Sequence, residues 1–293
     1  MKKHACTVAS LLAAFVFGCF PVHGLTSEER KELNDRFGLG GCLDTNNESY
    51  SKAKEELSKA IQAGDEASVS RIVRSFEGIV NSEIKTFCGF STPLSFACRL
   101  GERRFDIVKL LLQNGANVNA TDQLGATALH VNIDSPRIVD LLLEYGADIS
   151  AKDSSGRTVL FGKENVFVLC SLLNKGVNAK AVDKTGQTAL HAACDQLHQP
   201  ELIGILADVS DVNAKDHNGQ TPLHMLVSKA EMFECRDNEV SENVRILLRK
   251  GAEPAIQDNY GRTPLEYVDK EWPFIPNEGE AGVGALLRAA MDK

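Results

Sequence analysis

Apolar and polar residues follow each other along most of the chain with the spacing of amphipathic helices. The segments 105–113, 137–144 and 242–250 place apolar residues three and four positions apart, which is the signature of a helix with one buried face. A glycine follows each segment within two residues, and glycine just past the last turn is a common helix stop. The pattern therefore predicts a series of separate helices that share one buried side.

A short motif recurs between these helices. Its template is Asp-x-x-Gly-x-Thr-x-Leu, and three copies continue with His. Five copies begin at Asp122, Asp153, Asp183, Asp216 and Asp258, and an earlier one retains only Thr92, Pro93 and Leu94. The steps between the five aspartates are 31, 30, 33 and 42 residues. A period near 33 residues indicates a repeat protein in which each unit packs on the next.

Each position of the motif has a local physical role. Asp can accept hydrogen bonds from the backbone of its own turn, and Gly tolerates a positive φ. Thr is a favoured N-cap, so we expect its hydroxyl to accept an amide of the following helix. Pro93, Pro222 and Pro264 fall on the first helical position, where a missing N–H costs nothing.

This arrangement resembles the ankyrin repeat, in which a β-turn finger precedes two antiparallel helices and a connecting loop. The resemblance covers residues 52–293 and implies an all-α fold, a solenoid of helix pairs with β-turn fingers. The predicted divisions are a signal peptide at 1–24 (1–18 for a lipoprotein), a polar N-terminal extension at 25–51, a capping repeat at 52–86, ankyrin repeats at 87–257 and a C-terminal capping repeat at 258–293.

The two ends of the repeat array and one insertion have their own predictions. We expect 57–65 and 69–73 to form the helices of the first repeat, and 280–290 to supply a closing helix. The residues from 233 to 241 lengthen one repeat and are predicted to form an exposed loop between its helices.

The repeat that begins at Asp153 departs most from the template. Phe161 stands in the position of His, and Gly162 and Lys163 replace small apolar residues. The unit is also short. We therefore predict that it is the weakest joint of the stack, with less hydrogen-exchange protection than its neighbours.

The N-terminus carries the pattern of an export signal. Lys2 and Lys3 precede an uncharged run of 16 residues, 5–20. A membrane-spanning helix needs about 20 residues, so the run is typical of the apolar part of a secretory signal peptide. We expect an exported protein that is periplasmic or lipid-anchored, with secretion as the alternative.

Two cleavage sites compete, and an uncleaved anchor is the third interpretation. Cleavage before Leu25 would follow the residues 22–24, whereas 16–19 resembles a loose bacterial lipobox that would make Cys19 a lipidated first residue. Phe17 is an unusual residue in a lipobox. The sequence leaves these alternatives open.

Composition and charge exclude several classes of function. Hydrophobic residues make up 43% and charged residues 25% of the chain, as in a globular protein. The formal net charge is −8, and removal of residues 1–24 would make it −10. Nucleic-acid affinity depends on Lys and Arg that neutralise phosphates, so the chain is a poor candidate for nucleic acids. The same charge disfavours anionic membrane surfaces, and only a lipid anchor would place it on a membrane.

Three histidines recur at one position of the repeat. His130, His191 and His224 follow Thr by three residues, and we expect each to hydrogen-bond within its own turn and helix start. Neighbouring copies lie about 10 Å apart, at the packing distance of helices, so they cannot share a metal ion. We predict no metal site.

The cysteines divide by their positions in the repeats. Cys98 and Cys194 occupy equivalent inner-helix positions and are predicted to be buried packing residues, as is Cys170 on an outer helix. Cys42 and Cys88 form the best disulfide candidate, because an exported protein with an even number of cysteines permits bridges.

No known catalytic motif accompanies the repeats. The chain has no G-x-S-x-G elbow, Walker loop or H-E-x-x-H pair. We therefore predict that the protein is not an enzyme and uses no cofactor.

The ankyrin resemblance implies a partner-binding face made of finger tips and inner-helix ends. The matching finger residues are Gln123, Leu124, Ala126, Ser154, Ser155, Arg157, Lys184, Thr185, Gln187, His217, Asn218, Gln220, Asn259, Tyr260 and Arg262. The matching inner-helix residues are Arg99, Leu100, Asp134, Ser135, Asp195, Gln196, Ser228 and Lys229. Leu100, Leu124 and Tyr260 are the predicted hot spots, because they are apolar or aromatic where the template expects exposure.

Together these features predict a protein-protein interaction scaffold, an adaptor, inhibitor or effector that holds another protein on its concave face. The alternative from a different class is a self-associating structural protein of the cell envelope.

Overall fold

A computed structural model describes residues 48–87, 89–131, 133–196, 199–230, 237–271 and 282–292. Its helices are α1 (Glu48–Ala63), α2 (Glu66–Ser75), α3 (Pro93–Arg99), α4 (Phe105–Gln113), α5 (Pro136–Glu144), α6 (Val166–Asn174), α7 (Ala189–Asp195), α8 (Pro200–Val209), α9 (Pro222–Ala230), α10 (Asp237–Arg249), α11 (Pro264–Glu271) and α12 (Val283–Met291). Two short strands, β1 (Ile84–Thr86) and β2 (Gly89–Ser91), lie between α2 and α3. The export-signal predictions, including Cys19, lie outside the described residues.

The elements form seven consecutive repeats. Repeat 1 is the pair α1 and α2, and repeat 2 consists of the β1–β2 hairpin with α3 and α4. Repeats 3 to 7 begin at Asp122, Asp153, Asp183, Asp216 and Asp258. The chain is mostly helical, so the predicted fold class is confirmed, with one antiparallel hairpin in which Lys85 pairs with Phe90.

The helices pack in two layers, as the period of the sequence predicts. In the inner layer α1 contacts α3, α7 contacts α9, and α9 contacts α11. In the outer layer α2 contacts α4, and the contacts continue through α5, α6, α8, α10 and α12. One hydrophobic core runs between the layers from Ala53 to Leu287. Each repeat therefore buries its apolar face against its neighbours, as expected of a solenoid.

The described residues of repeats 3 and 4 form no inner helix. In both, the residues after the motif's Thr form turns, and only the outer helices α5 and α6 are present. Seven residues separate Thr127 from the N-cap Ser135, and six separate Thr158 from the N-cap Asn165. Repeat 5 has ten residues in the same interval and uses seven of them in α7. The short repeats have too few residues for both a helix and a connecting turn.

Lys163 occupies the space beside the missing helices. Its side chain is buried, with 2% exposure, and Nζ donates to the backbone carbonyls of Leu129 at 2.8 Å, His130 at 3.3 Å and Val131. In a continuing helix these carbonyls would accept amides four residues later. Because the helix is absent, the Lys163 amino group takes that role. It donates to the buried carbonyls of Leu129 and Val131, which need a partner, and to the part-buried carbonyl of His130.

Several sequence predictions agree with the helix ends and three need correction. Thr92 and Thr188 are N-caps that accept the amides of Ser95 and His191, as predicted. However, α1 begins at Glu48, ahead of the predicted boundary at residue 52. Residues 237–241 of the predicted loop belong to α10, which begins at Asp237, and residues 233–236 lie outside the described residues. The closing helix starts at Val283 rather than residue 280.

Candidate partner-binding face

Each finger of repeats 3 to 7 is held by the aspartate that begins it. Asp183 Oδ1 accepts the amides of Thr185 at 2.8 Å and Gln187 at 3.0 Å. Burial opposes ionisation, but the hydrogen bonds from Thr185 and Gln187 lower the pKa of Asp183 below its usual value. The same two amide contacts recur at Asp122, Asp153, Asp216 and Asp258. The two residues after each aspartate, the finger tip, are thereby fixed in one turn.

The five finger tips are joined by backbone hydrogen bonds. The first tip residue of each repeat donates its amide to the second tip residue of the repeat before. These bonds run from Ser154 to Leu124 at 2.8 Å, and from Lys184 to Ser155, His217 to Thr185 and Asn259 to Asn218 at 2.9 Å. The tips therefore form one continuous row, which we call the finger row.

The motif's glycine allows adjacent fingers to approach. Gly186 has φ of 80°, and a Cβ added there would lie 2.7 Å from Cδ2 of His217. A Cβ on Gly219 would lie 2.5 Å from Oδ1 of Asn259. The first tip side chain of one repeat thus rests on the glycine of the previous finger. Glycine is required here for its conformation and for its lack of a side chain.

The predicted tip residues all lie on the exposed side of the finger row. Leu124 is 70% and Tyr260 73% exposed. The other predicted tip residues are also exposed: Gln123, Ser154, Ser155, Lys184, Thr185, His217, Asn218 and Asn259. The geometry brings these ten side chains together in one row. Whether they bind a partner stays a prediction.

The predicted inner-helix residues are placed less uniformly. Arg99 ends α3 and Asp195 ends α7, with Gln196 as the C-cap of α7. Arg99 and Gln196 are exposed, and Asp195 is half-buried. Leu100 is half-buried and packs against the core, so it is a weaker hot-spot candidate than the sequence suggests.

Asp134 and Ser135 do not lie on an inner helix, because repeat 3 has none. Ser135 is buried as the N-cap of α5, where its hydroxyl also donates to Glu102. Asp134 is exposed, and its carboxylate accepts the Glu102 amide at 3.0 Å beside Gly101. These two residues join repeats 2 and 3.

The structure adds one set of exposed finger residues that the sequence interpretation missed. The residue immediately before each aspartate is exposed in all five fingers: Thr121, Lys152, Val182, Lys215 and Gln257. Lys152 Nζ lies 3.2 Å from the carbonyl oxygen of Val182, and Lys215 Nζ lies 2.8 Å from that of Gln257. The fixed offset from the aspartate was visible in the sequence and would have identified them.

The recurring histidines have the structural role that was predicted. His191 Nδ1 lies 2.9 Å from Thr188 Oγ1 and 3.1 Å from the Thr188 amide nitrogen, and Nε2 lies 3.2 Å from the Gln220 carbonyl of the next finger. His130 and His224 make the equivalent contacts. Burial lowers the pKa of all three imidazoles. In repeat 4 Phe161 cannot pair with Thr158, whose buried hydroxyl has no hydrogen-bond partner in the described chain.

The described residues include three free thiols, Cys98, Cys170 and Cys194. Cys98 and Cys194 are fully buried, as predicted, and burial raises the pKa of Cys98 to about 12 and that of Cys194 further. Cys170 is only half-buried. The disulfide candidate Cys42 and Cys88 lies outside the described residues.

The described parts of the chain contain neither a metal-binding cluster nor a membrane-spanning helix. No group of three or more His, Cys, Asp or Glu side chains is placed there to hold a metal ion. None of the helices described is long and apolar enough to span a bilayer.

The repeat geometry agrees with comparisons against known proteins. The family description "Ankyrin repeats (3 copies)" matches residues 57–153 and 158–235, and "Ankyrin repeat" matches 218–259. The chain belongs to the ankyrin-repeat family. Among its relatives, NF-kappa-B inhibitor zeta of Homo sapiens is 28% identical over 221 residues, which is 71% of this chain and 29% of that protein. This ankyrin chain thus spans less than a third of that relative's length.

Two solved ankyrin structures resemble the fold. The ankyrin repeat domain of Bcl-3, described as a unique member of the IkappaB protein family, has a TM-score of 0.54 and 25% identity. That match covers 72% of this chain and 92% of the Bcl-3 domain. An ankyrin repeat domain from Acinetobacter baumannii AYE has a TM-score of 0.53 and 26% identity, covering 68% and 97% of the two chains.

Proposed function

We propose that this ankyrin protein is a non-enzymatic interaction scaffold that holds a partner protein against its finger row. The observation that carries the proposal is the row itself: ten exposed tip residues, fixed by aspartate turns and joined by backbone hydrogen bonds. A surface that is rigid before binding loses little conformational entropy when a partner binds. The relatives support the same role, since one is named an inhibitor of NF-kappa-B and the other a member of the IkappaB family.

Leu124 and Tyr260 are the anchors of the proposed interface. They are 70% and 73% exposed, near opposite ends of the finger row. Tyrosine is a frequent binding hot spot when a partner buries it, and burial of the exposed leucine would remove apolar surface from water. Arg262 lies over the Tyr260 ring, 5.0 Å from its centroid, and holds that ring in place.

A photo-crosslinking residue at position 124 or 260, in the full chain and in its native compartment, tests the proposal. We expect one discrete protein to be crosslinked from both tips, and the crosslink from position 124 to disappear when Tyr260→Asp is added. The matched control places the crosslinker at Phe167, which is 74% exposed on the outer helix α6. Equal crosslinking of the same protein from position 167 would contradict a binding site on the fingers.

The second candidate function is self-association in an envelope structure. The exposed aromatic side chains of Tyr145 (42%) and Phe167 (74%) on the outer layer favour it. Sedimentation velocity at increasing protein concentration separates the two functions. A concentration-dependent dimer that is lost in Tyr145→Asp/Phe167→Asp, but kept in Leu124→Asp/Tyr260→Asp, would support self-association.

The proposed place of action is outside the cytosol, in a periplasm or on a lipid anchor. Lys2, Lys3 and the uncharged run 5–20 support export, and Cys19 is the candidate lipidation site. Fractionation of cells that express the full chain tests export, and metabolic labelling with a fatty acid, compared with Cys19→Ser, tests lipidation. Retention of the full chain in the cytosol would overturn this part of the proposal.

A further inference from the structure

The exposed side chains of the finger row change in character along the solenoid. Repeat 3 presents Leu124, whereas repeats 4 to 6 present cations. Lys152 and Arg157 flank the tip of repeat 4, Lys184 begins the tip of repeat 5, and Lys215 precedes the turn of repeat 6, and all four are exposed. This concentration of positive charge occurs in a chain whose formal net charge is −8.

These cations form one connected surface because each contacts a neighbouring finger. Lys152 Nζ hydrogen-bonds to the carbonyl of Val182 in repeat 5. Arg157 Nε lies 3.8 Å from Asp183 Oδ2, also in repeat 5. The Lys184 side chain passes over repeat 4, with its Cγ 3.3 Å from where a Cβ on Gly156 would be. Lys215 Nζ likewise hydrogen-bonds to the carbonyl of Gln257 in repeat 7, so each finger of repeats 4 to 6 carries at least one cation that contacts a neighbouring finger.

The carboxylates of the same fingers point inwards. Asp183 and Asp216 are buried, with 7% and 6% exposure. Asp153 is half-buried, and its Oδ1 accepts the amides of Ser155 and Arg157. The tips of repeats 4 to 6 present no carboxylate of their own, so a partner approaching them meets ammonium and guanidinium groups.

The overall charge limits the size of an anionic partner. A long polyanion, such as a nucleic acid or an anionic bilayer, would meet the whole acidic chain and be repelled by it. A short acidic segment of a protein would meet only the cationic part of the finger row. Charge complementarity of this kind increases association rates and selects among partners.

We propose, as an extension of the proposed function on which it rests, that the finger row of repeats 3 to 6 binds an extended acidic protein segment. Successive repeats lie about 10 Å apart. A polyproline II chain is an extended conformation with three residues per turn and a rise of about 3.1 Å per residue, so every third residue returns to the same side. Carboxylates at every third residue would therefore face repeats 4, 5 and 6 in turn. An apolar residue at one end of the segment would contact Leu124 in repeat 3.

A fluorescein-labelled decapeptide, Leu-Ser-Ser-Glu-Ser-Ser-Glu-Ser-Ser-Glu, tests this spacing by fluorescence anisotropy with the full chain. A peptide of the same composition with its three glutamates adjacent is the control probe. We expect the spaced peptide to bind at least tenfold more tightly in 50 mM salt, and its affinity to fall in 300 mM salt. Equal affinity of the two peptides would overturn the proposal.

Charge reversal in the protein locates the binding site. Lys184→Glu/Lys215→Glu should reduce the affinity for the spaced peptide at least tenfold. The neutral pair Lys184→Gln/Lys215→Gln should reduce this affinity by a smaller factor. The matched control, Arg74→Glu/Lys109→Glu, makes the same change in net charge at exposed positions of the outer helices α2 and α4. An equal loss of binding in this control would overturn the proposal, because only the overall charge would then matter.

Two further probes separate this inference from its alternatives and from the proposed function. Tighter binding of a ten-nucleotide poly-dT strand or of phosphatidylserine vesicles than of the spaced peptide would contradict an acidic protein segment. If the spaced peptide fails to bind while a partner still crosslinks at Leu124, the acidic segment is wrong and the scaffold function stands. If the spaced peptide does not bind and no partner crosslinks at Leu124, the proposed scaffold function is contradicted as well.

Discussion

Lys163 Nζ lies 2.8 Å from the carbonyl oxygen of Leu129, across the boundary between repeats 3 and 4. The same ammonium also contacts the carbonyls of His130 and Val131. A buried side chain of repeat 4 thus satisfies the backbone of a repeat whose inner helix is absent. The contact holds together the two shortest units of the solenoid.

The first prediction concerns the removal of this ammonium. Lys163→Met should lower the free energy of unfolding by about 2–4 kcal/mol, because the buried carbonyls of Leu129 and Val131 lose their donor at about 1–3 kcal/mol each. The part-buried carbonyl of His130 adds less. Part of that cost is offset because methionine avoids the burial of a charge. Urea unfolding followed by circular dichroism measures the change. Lys180→Met, at an exposed position in repeat 4, is the control and should change stability by less than about 0.5 kcal/mol.

An unchanged midpoint of urea unfolding in Lys163→Met would mean that water or a local shift satisfies the carbonyls without Lys163.

The expectation that repeat 4 is the weakest joint is a separate prediction, checked by hydrogen exchange. Amides of α6 that exchange no faster than those of α5 and α8 would refute it.

The second prediction concerns how the protonation of Lys163 makes the free energy of unfolding depend on pH. Burial lowers the pKa of Lys163 from 10.5 to about 7, and the nearby Cys98 opposes this change. Between these two values the unfolded chain binds a proton that the folded chain has released, so stability rises with pH. From pH 7.0 to 8.5 the gain should be about 1–2 kcal/mol. The range stops at 8.5 because the raised pKa of Cys98 and Cys194 acts in the opposite direction near and above pH 9.

Chemical denaturation at several pH values, performed in parallel on the natural chain and on Lys163→Met, measures this effect. The difference between the two free energies of unfolding should grow with pH over this range. A constant difference would show that Lys163 keeps its proton in the folded protein.

Much of the finger row could be predicted because its chemistry is local. The aspartate turns, the positive φ of Gly186 and the N-cap Thr188 each depend on residues within a few positions in the chain. The exposure of Leu124 and Tyr260 followed from the same template. A periodic sequence therefore predicts a periodic surface.

The joint between repeats 3 and 4 could not be predicted in the same way. Lys163 was recognised as a departure, but its partners lie 32 to 34 residues earlier in the chain. Apolar residues such as Leu129 and Ile133 are buried in a turn as completely as they would be in a helix, so the hydrophobic pattern does not reveal the missing helix. The available signal was length, since the repeats at Asp122 and Asp153 advance by only 31 and 30 residues.

The third prediction concerns the stability of the folded protein at acidic pH. Burial lowers the pKa of His130, His191 and His224 below the ordinary value of 6.5. The folded chain therefore binds fewer protons than the unfolded chain once the pH falls below about 6.5, and stability decreases with falling pH. Lys163 contributes little in this range, because it is largely protonated in both states. His191→Gln should reduce the decrease in stability between pH 6.5 and 5.0. Thermal melts across this pH range measure that decrease. The natural chain, measured in parallel over the same pH range, is the reference.

The last prediction separates the two reasons for glycine in the fingers. Gly186→Ala places a Cβ 2.7 Å from Cδ2 of His217 and forces alanine to φ of 80°. Gly176→Ala imposes the same strain at φ of 86°, but with no atom within 4 Å of the new Cβ. Positive φ costs alanine about 1–2 kcal/mol. Gly176→Ala should therefore lower the free energy of unfolding by that amount, and Gly186→Ala should lower it by more. Adding His217→Ala should recover the part of the excess caused by the His217 side chain, because only the backbone nitrogen of residue 217, 3.0 Å from the new Cβ, then remains close. It should recover none of the loss in Gly176→Ala. Equal losses in the two single variants would show that the fingers can separate without cost, and a finger row of that kind would not be rigid before a partner binds.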